Sequence, residues 1–412
     1  MTGPDSENTF TPAGEVTHAA RQAVTSLYIH VPFCGRKCAY CDFYSLADAG
    51  PQWVDAWHSG ILVELERLAA EAGGAGFRTA PLQTIYLGGG TPSSLEASLV
   101  ASILDRTRQL FSRSPDCELT IEANPESLRG SQGRDLLLAW SEAGINRISL
   151  GLQAASDRLL RQIGRSHRVQ DAVQAVNMAW EEGFRRLSLD MMTGLPDQTL
   201  KDVRETLDLI LSLPVDHVSS YALTLASGTP LHALMERSPG RFPDDDLERR
   251  MTHEVKARLE ASGFEHYEIS NFARPGARSR HNSVYWQADP YLAAGPAAAS
   301  YLGGVRRCNP ASLEDWLRLV EDPGQGPLGL RTLEEAVDEE AARVETMILG
   351  LRLLEGVTFQ RFRERHQVSM DACFGPALAR LEEEGLIQRD PAGVRLSSKG
   401  LDFADKVWRA LL

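Results

Sequence analysis

A chain of 412 residues is longer than one ordinary hydrophobic core organises and implies two or three domains. Its composition, 43% hydrophobic and 24% charged, is that of a globular protein, and a net charge of −13 argues against nucleic acid as a general partner. No apolar run approaches the roughly 20 residues that cross a bilayer, although peripheral membrane contact stays compatible with this composition. In chain order, residues 1–25 place acids and polar side chains where a secretory signal needs an apolar segment. They are expected to form a disordered lead-in to a cytoplasmic protein whose thiols stay reduced.

A strand-like run, 27–31, leads into Cys34, Cys38 and Cys41, spaced C-x3-C-x2-C with no fourth cysteine beside them. A cubane iron–sulfur cluster takes one thiolate per iron, so three thiolates leave one iron open to a substrate or cosubstrate. Two other readings compete. A structural zinc ion wants four ligands, usually as two spaced pairs, and His30 lies on the strand rather than in a second pair. Cys38 and Cys41 alone form a C-x-x-C dithiol, which leaves Cys34 unexplained. The spacing favours the cluster, and the aromatic Tyr40 just before the last cysteine sharpens it. Cys117, Cys308 and Cys373 are isolated and expected to be buried small hydrophobes.

Beyond the loop, short β-branched or apolar runs alternate with longer amphipathic ones. Strands are expected at 27–31, 84–87, 118–122, 147–150, 187–191 and 218–223. Helices are expected at 51–72, 94–111, 132–143, 154–162 with 169–182, and 200–211. This alternation predicts parallel βα units whose ligand sites lie at the carboxyl ends of the strands. The stretch 321–329, rich in Gly and Pro, reads as a linker between a core at 26–322 and a module at 330–412. In that module helices are expected at 333–354 and 371–384, then a small hairpin and a final helix, the pattern of a winged helix. It carries more acidic than basic residues, so it reads as a structural or lid element rather than a DNA binder.

Several strands end in residues suited to a polar ligand. Gly88 to Gly90 could be a tight turn or a surface that lets a ligand approach the backbone closely. Glu122 and Asp190 are either caps or carboxylates for a hydroxyl or ammonium group. Gln153 and Arg165 are either solvated side chains or donors to a carboxylate. Singly none decides; their order along the chain does.

That order carries a resemblance. The runs YIHVPFCGRKCAYCDF, YLGGGTPSSL, LTIEANPES, INRISLGLQ, IGRSHRVQDA and LDMMTGLPDQT, spanning about 26–301, are similar to the motifs of the oxygen-independent coproporphyrinogen III oxidase family of the radical S-adenosylmethionine (SAM) superfamily. The resemblance implies a partial (β/α)6 TIM-like barrel with a C-terminal winged-helix-like α+β module. It also implies a 4Fe–4S cluster on Cys34, Cys38 and Cys41, whose open iron binds SAM, and a low-potential electron donor that cleaves SAM to a radical. Tyr28, Gly89, Gly90, Thr91 and Glu122 match positions lining SAM, and Tyr40 one packed beside the cluster. Gln153, Arg165 and Asp190 match positions around a second SAM.

Two departures point within the family. The oxidases carry a further cysteine where this chain has Phe43, and a longer N-terminal extension than the 33 residues before Cys34. Both departures resemble the haem-chaperone (HemW) branch, as does the run Arg280 to Trp286, RHNSVYW, which matches its H-N-x-x-Y-W signature. The resemblance implies haem as ligand and transfer of haem to acceptor apoproteins, with oxidative decarboxylation of coproporphyrinogen III as the rival activity. His281 is then a candidate iron ligand, with Asn282, Tyr285 and Trp286 around the porphyrin; the other reading is a buried His–Asn pair that holds a loop. His266, Tyr267 and residues 294–304 are expected to shape the same pocket.

Overall fold

The computed structural model describes residues 23–72, 79–322 and 333–412. Six strands, Val24–Val31, Thr79–Gly89, Arg113–Ala123, Arg147–Gln153, Arg186–Thr193 and His217–Ala222, pair in parallel in chain order. Helices Pro51–Ala72, Ala97–Leu110, Gly130–Ala143, Val169–Glu181 and Leu200–Ser212 connect them. The expected partial (β/α)6 barrel is present. Leu292–Ala294 extends one edge in parallel beside the first strand. Asn271–Ala273 and Glu265–Glu268 extend the other edge antiparallel.

The strands alternate because their two faces meet different surroundings. Leu27, Ile29, Ile85, Leu87, Leu119, Ile121, Ile148, Leu150, Leu187 and Leu189 are buried in the main core, with the helices packed over them. The other face carries Tyr28, Thr84, Tyr86, Glu118, Glu122, Arg147, Ser149, Ser188, Asp190 and His217; Tyr86 bonds Glu122, Ser149 bonds Asp190 and Ser188 bonds His217 between neighbouring strands, while Thr84 and Glu118 bond His281. An ordinary TIM barrel fills its interior with branched aliphatic layers. A polar and aromatic lumen is built for polar contents.

The C-terminal module has its own core, including Met347, Leu351, Phe362, Phe374, Leu378 and Val407. Helices Phe359–His366 and Met370–Glu383 pack on a small antiparallel sheet of Val357–Thr358, Gly393–Leu396 and Ile387–Arg389, a winged-helix-like arrangement. It docks on the barrel edge through Ile269 N–H to Arg352 O (3.1 Å) and Leu354 N–H to Tyr267 O (3.0 Å).

Some expectations are corrected. The first strand starts at Val24, inside the expected lead-in, whose residues 1–22 lie outside the described ones, as do 323–329 of the expected linker. The helix expected at 333–354 divides: Leu333–Ala336 is a strand paired with Val305–Cys308, and the helix is Glu339–Gly350, capped by Asp338. The cross-strand partners Arg306 and Glu335 form an ion pair of 2.9 Å, an attraction that helical periodicity does not display. Cys117 is buried as expected, but Cys308 and Cys373 are only half-buried.

Candidate functional site

The three cysteines sit where the first strand leaves the barrel. Phe33–Cys34 forms a short parallel pair with Leu46–Ala47, which closes the loop at its base. Its tip is held from two sides: Ala39 N–H donates to Ile163 O (2.9 Å) and Leu231 N–H to Ala39 O (3.0 Å). Tyr40 packs against the apolar patch of Leu159, Ile163, Met192 and Leu231. All three cysteines are free and half-exposed, and partial burial with neighbouring sulfurs pushes the Cys41 thiol up.

A chain of side chains ties two of the cysteines together. Thr91 Oγ1 donates to Cys34 Sγ (3.4 Å), Asn124 Nδ2 to Thr91 Oγ1 (3.2 Å), Arg165 Nη2 to Asn124 Oδ1 (2.7 Å) and Arg165 Nη1 to Cys38 Sγ (3.5 Å). A hydroxyl and a guanidinium thus donate to two of the three sulfurs and fix where they sit. Arg165 is half-buried just past helix Asp157–Gln162 and turns inward to the strand ends, where Nη2 also donates to Gly151 O (2.9 Å), rather than standing in solvent. Among the described residues no His, Cys, Asp or Glu group converges to hold a single metal ion. A cubane asks for something else: separate thiolates, one per iron. The donor set and its polar support fit that requirement.

Beside the loop, the turn after the second strand is drawn tightly under it. Gly90 N–H donates to Val31 O (2.8 Å) and Thr91 N–H to Phe33 O (2.7 Å). Gly89 adopts φ +111°, and a Cβ there would strike the His30 ring. Only glycine fits. Glu122 faces this turn, accepting from Gly89 N–H (3.0 Å) and Tyr86 O–H (2.7 Å), and burial raises its carboxyl. Asp190, raised by the same cause, accepts from Ser149 Oγ at 3.3 Å. Gln153 is 7% exposed and holds φ +68° at a register shift between the fourth and fifth strands. A non-glycine residue held there stores strain, a recurrent mark of ligand clamps. Tyr28 O–H bonds His30 Nδ1 (3.1 Å), and its ring stacks on Tyr86 at 6.1 Å between centroids. Tyr86 and Asn124 were not singled out from sequence; both lie inside motifs whose lumen-facing register only the sheet reveals.

The H-N-x-x-Y-W segment is helix Arg280–Trp286, which crosses the floor of the lumen. His281 presents no free ring nitrogen to a haem iron: Nδ1 bonds Thr84 Oγ1 and Nε2 bonds Tyr285 Oη, each at 2.8 Å. It is 1% exposed, stacks on Tyr86 at 4.9 Å, and desolvation with Arg147 nearby pushes it down to about 3. Its partners are Thr84 and Tyr285 rather than Asn282, whose backbone N–H is capped by Ser279 Oγ. Trp286 lies under the Arg352 guanidinium of the C-terminal module, 4.1 Å from its ring centre. Tyr285 alone of the four reaches the mouth, where it lines a cavity of about 370 Å3 with Tyr28, His30 and residues 42–44 of the cluster loop. His266 and Tyr267 line no part of that cavity; His266 stacks on Phe272 at the barrel edge, while Tyr267 bonds His217 beneath the floor.

Comparison with known proteins gives this geometry its family. The radical SAM superfamily model matches residues 28–210, and the HemN C-terminal domain model residues 337–403. The heme chaperone HemW of Bacillus subtilis is 36% identical over 388 residues, covering 94% of this chain and 99% of that protein. The chain belongs to the HemW family of radical SAM proteins. The HemW protein of Mycobacterium tuberculosis is 34% identical, with 94% of each chain covered. In three dimensions the fold is similar to a coproporphyrinogen III oxidase (HemN) from Escherichia coli, with a TM-score of 0.79 at 21% identity over 95% of this chain and 91% of that one. That likeness shows the fold alone.

Proposed function

We propose that this chain is a haem chaperone of the radical SAM type, which binds haem and passes it to acceptor apoproteins. The observation that carries this reading is the match to HemW proteins end to end, at 36% identity over 99% of one relative's length. Cys34, Cys38 and Cys41 would hold the 4Fe–4S cluster, which when bound would supply an open iron and a low-potential electron drawn from an external donor. Glu122 and the backbone carbonyls of the Gly89–Gly90 turn would accept from the ammonium group of SAM, Thr91 supports Cys34, and Tyr28 walls the cavity. Gln153, Arg165 and Asp190 line the far strand ends, where a second polar ligand fits. Among the described residues no helix is long and apolar enough to cross a membrane.

Coproporphyrinogen III decarboxylation is the rival. Phe43, 65% exposed at the loop, replaces with a hydrocarbon the sulfur expected of an oxidase. Anaerobic incubation of reconstituted protein with SAM, a low-potential reductant and coproporphyrinogen III separates the two. The chaperone reading expects intact coproporphyrinogen; protoporphyrinogen with matching 5′-deoxyadenosine overturns it.

A further inference from the structure

With His281 bonded at both nitrogens, a haem cargo needs another ligand. The lumen histidines His30 and His217 are likewise bonded on both sides. On the outer wall, a cleft of about 470 Å3 opens between helix Asp245–Ala261, the antiparallel edge strands and helix Ser398–Asp402 of the C-terminal module. It shares no lining residue with the cavity at the barrel mouth. Its size is that of a small-molecule site, which falls at about 300–1,000 Å3.

The cleft combines a flat apolar wall, an oriented imidazole and cations. His266 and Phe272 stack nearly parallel, 4.2 Å apart and 11° off, and with Ile269 and Leu401 they offer a face to a planar macrocycle. His253 extends from the facing helix, its Nε2–H donating to Asp402 Oδ1 at 2.8 Å. Its Nδ1 has no hydrogen-bond partner among the described residues. A histidine that donates one N–H to a carboxylate and keeps the other lone pair free is arranged as metal-bound histidines are. Lys256 lies one turn further along the helix, without an ion pair among the described residues, and Lys399, whose Nζ also donates to Glu384 O at 2.8 Å, lines the cleft from the C-terminal module. Glu260 is the remaining acid on the wall, one turn beyond Lys256.

We propose that this cleft is a haem seat, with His253 the iron ligand, Asp402 its orienting partner, and Lys256 and Lys399 the partners of the propionates. The proposal rests on the haem-chaperone reading. Because helix Ser398–Asp402 forms one wall, moving the C-terminal module opens the seat and frees the haem for transfer.

The test is a haemin titration of the full-length reconstituted protein, following the Soret band and the axial-ligand signature by resonance Raman or electron paramagnetic resonance. The wild type shows imidazole ligation. His253→Ala loses that signature, and added free imidazole restores it; Asp402→Asn weakens binding about tenfold. Lys256→Glu weakens affinity severalfold while leaving the ligation spectrum unchanged, and Leu401→Trp, which fills the cleft, abolishes binding. Unchanged SAM binding in each variant reports an intact barrel. His253→Ala and Leu401→Trp proteins that both keep the wild-type spectrum and affinity overturn the seat while leaving the chaperone reading standing. A wild-type protein that binds no haem overturns both.

Discussion

At the scale of single residues, the lumen is a set of polar groups that burial has moved away from their ordinary protonation. Glu122 is the most consequential. Its carboxyl is raised by burial, so acidification neutralises it earlier than a surface glutamate and removes the charge that would hold an ammonium group. SAM affinity measured anaerobically is therefore expected to fall as pH drops through that raised value. Glu122→Gln should bind SAM at least tenfold more weakly at neutral pH and lose the pH dependence, in line with the ~1.5–3 kcal/mol of a hydrogen bond to a charged group. His281 works in the opposite direction. The unfolded chain protonates it near 6.5 and the folded chain only near 3, so its stabilisation is complete above 6.5 and lost progressively as pH falls below it. The slope approaches about 1.4 kcal/mol per pH unit. Thermal melts at pH 7 and pH 5 should show His281→Gln less stable at pH 7 but with a shallower fall. Equal slopes would contradict this account. Glu122, Gly89 and Asp190 were legible as polar or glycine positions toward the strand ends; the engaged state of His281 was not, since Thr84 lies outside the motif and the bond to Tyr285, one helical turn on within it, shows only in the fold.

Among the elements, two junctions organise the site. The first is the glycine turn zipped to the end of the first strand. A Cβ at Gly90 would lie 2.6 Å from Phe33 O and 2.8 Å from Val31 O, both backbone atoms that cannot step aside. Gly90→Ala should cost about 1–3 kcal/mol and displace the backbone leading into Cys34. Iron counted after anaerobic reconstitution is expected to drop well below four per chain, and full incorporation would refute this reading of the turn. The second junction joins the barrel edge to the C-terminal module. Glu268 is fully buried, 3.6 Å from Arg352, whose guanidinium also covers Trp286. Arg352→Ala would strand that carboxylate, at a cost on the order of 3 kcal/mol. Hydrogen exchange should accelerate across Glu339–Gly350 while the parallel strands stay protected. These junctions explain the errors in reading elements from sequence. Helix Pro51–Ala72 is long and amphipathic, and its bounds were read without error. The edge strands Glu265–Glu268, Asn271–Ala273 and Leu292–Ala294 have three or four residues each, too few for a period to show, and exist because a neighbouring strand pairs with them.

For the whole molecule, the six-strand alternation was legible because each strand is half aliphatic and half polar, and each helix buries one face. What that pattern could not say is why the inner face is polar. The lumen is not a filled core but a walled space, closed below by helix Arg280–Trp286 and bordered above by three thiols. Membership of the HemW family follows from similarity along nearly the whole chain, and with it the proposal that the contents of this fold are carried rather than consumed. The direct test uses one preparation: reconstituted protein loaded with stoichiometric haem, mixed with an apo-haemoprotein, and followed by the acceptor's Soret spectrum. The account predicts that the acceptor gains its holo spectrum as this protein loses haem, with the porphyrin unchanged by mass. A protein that binds no haem, or returns it chemically altered, would contradict the central claim.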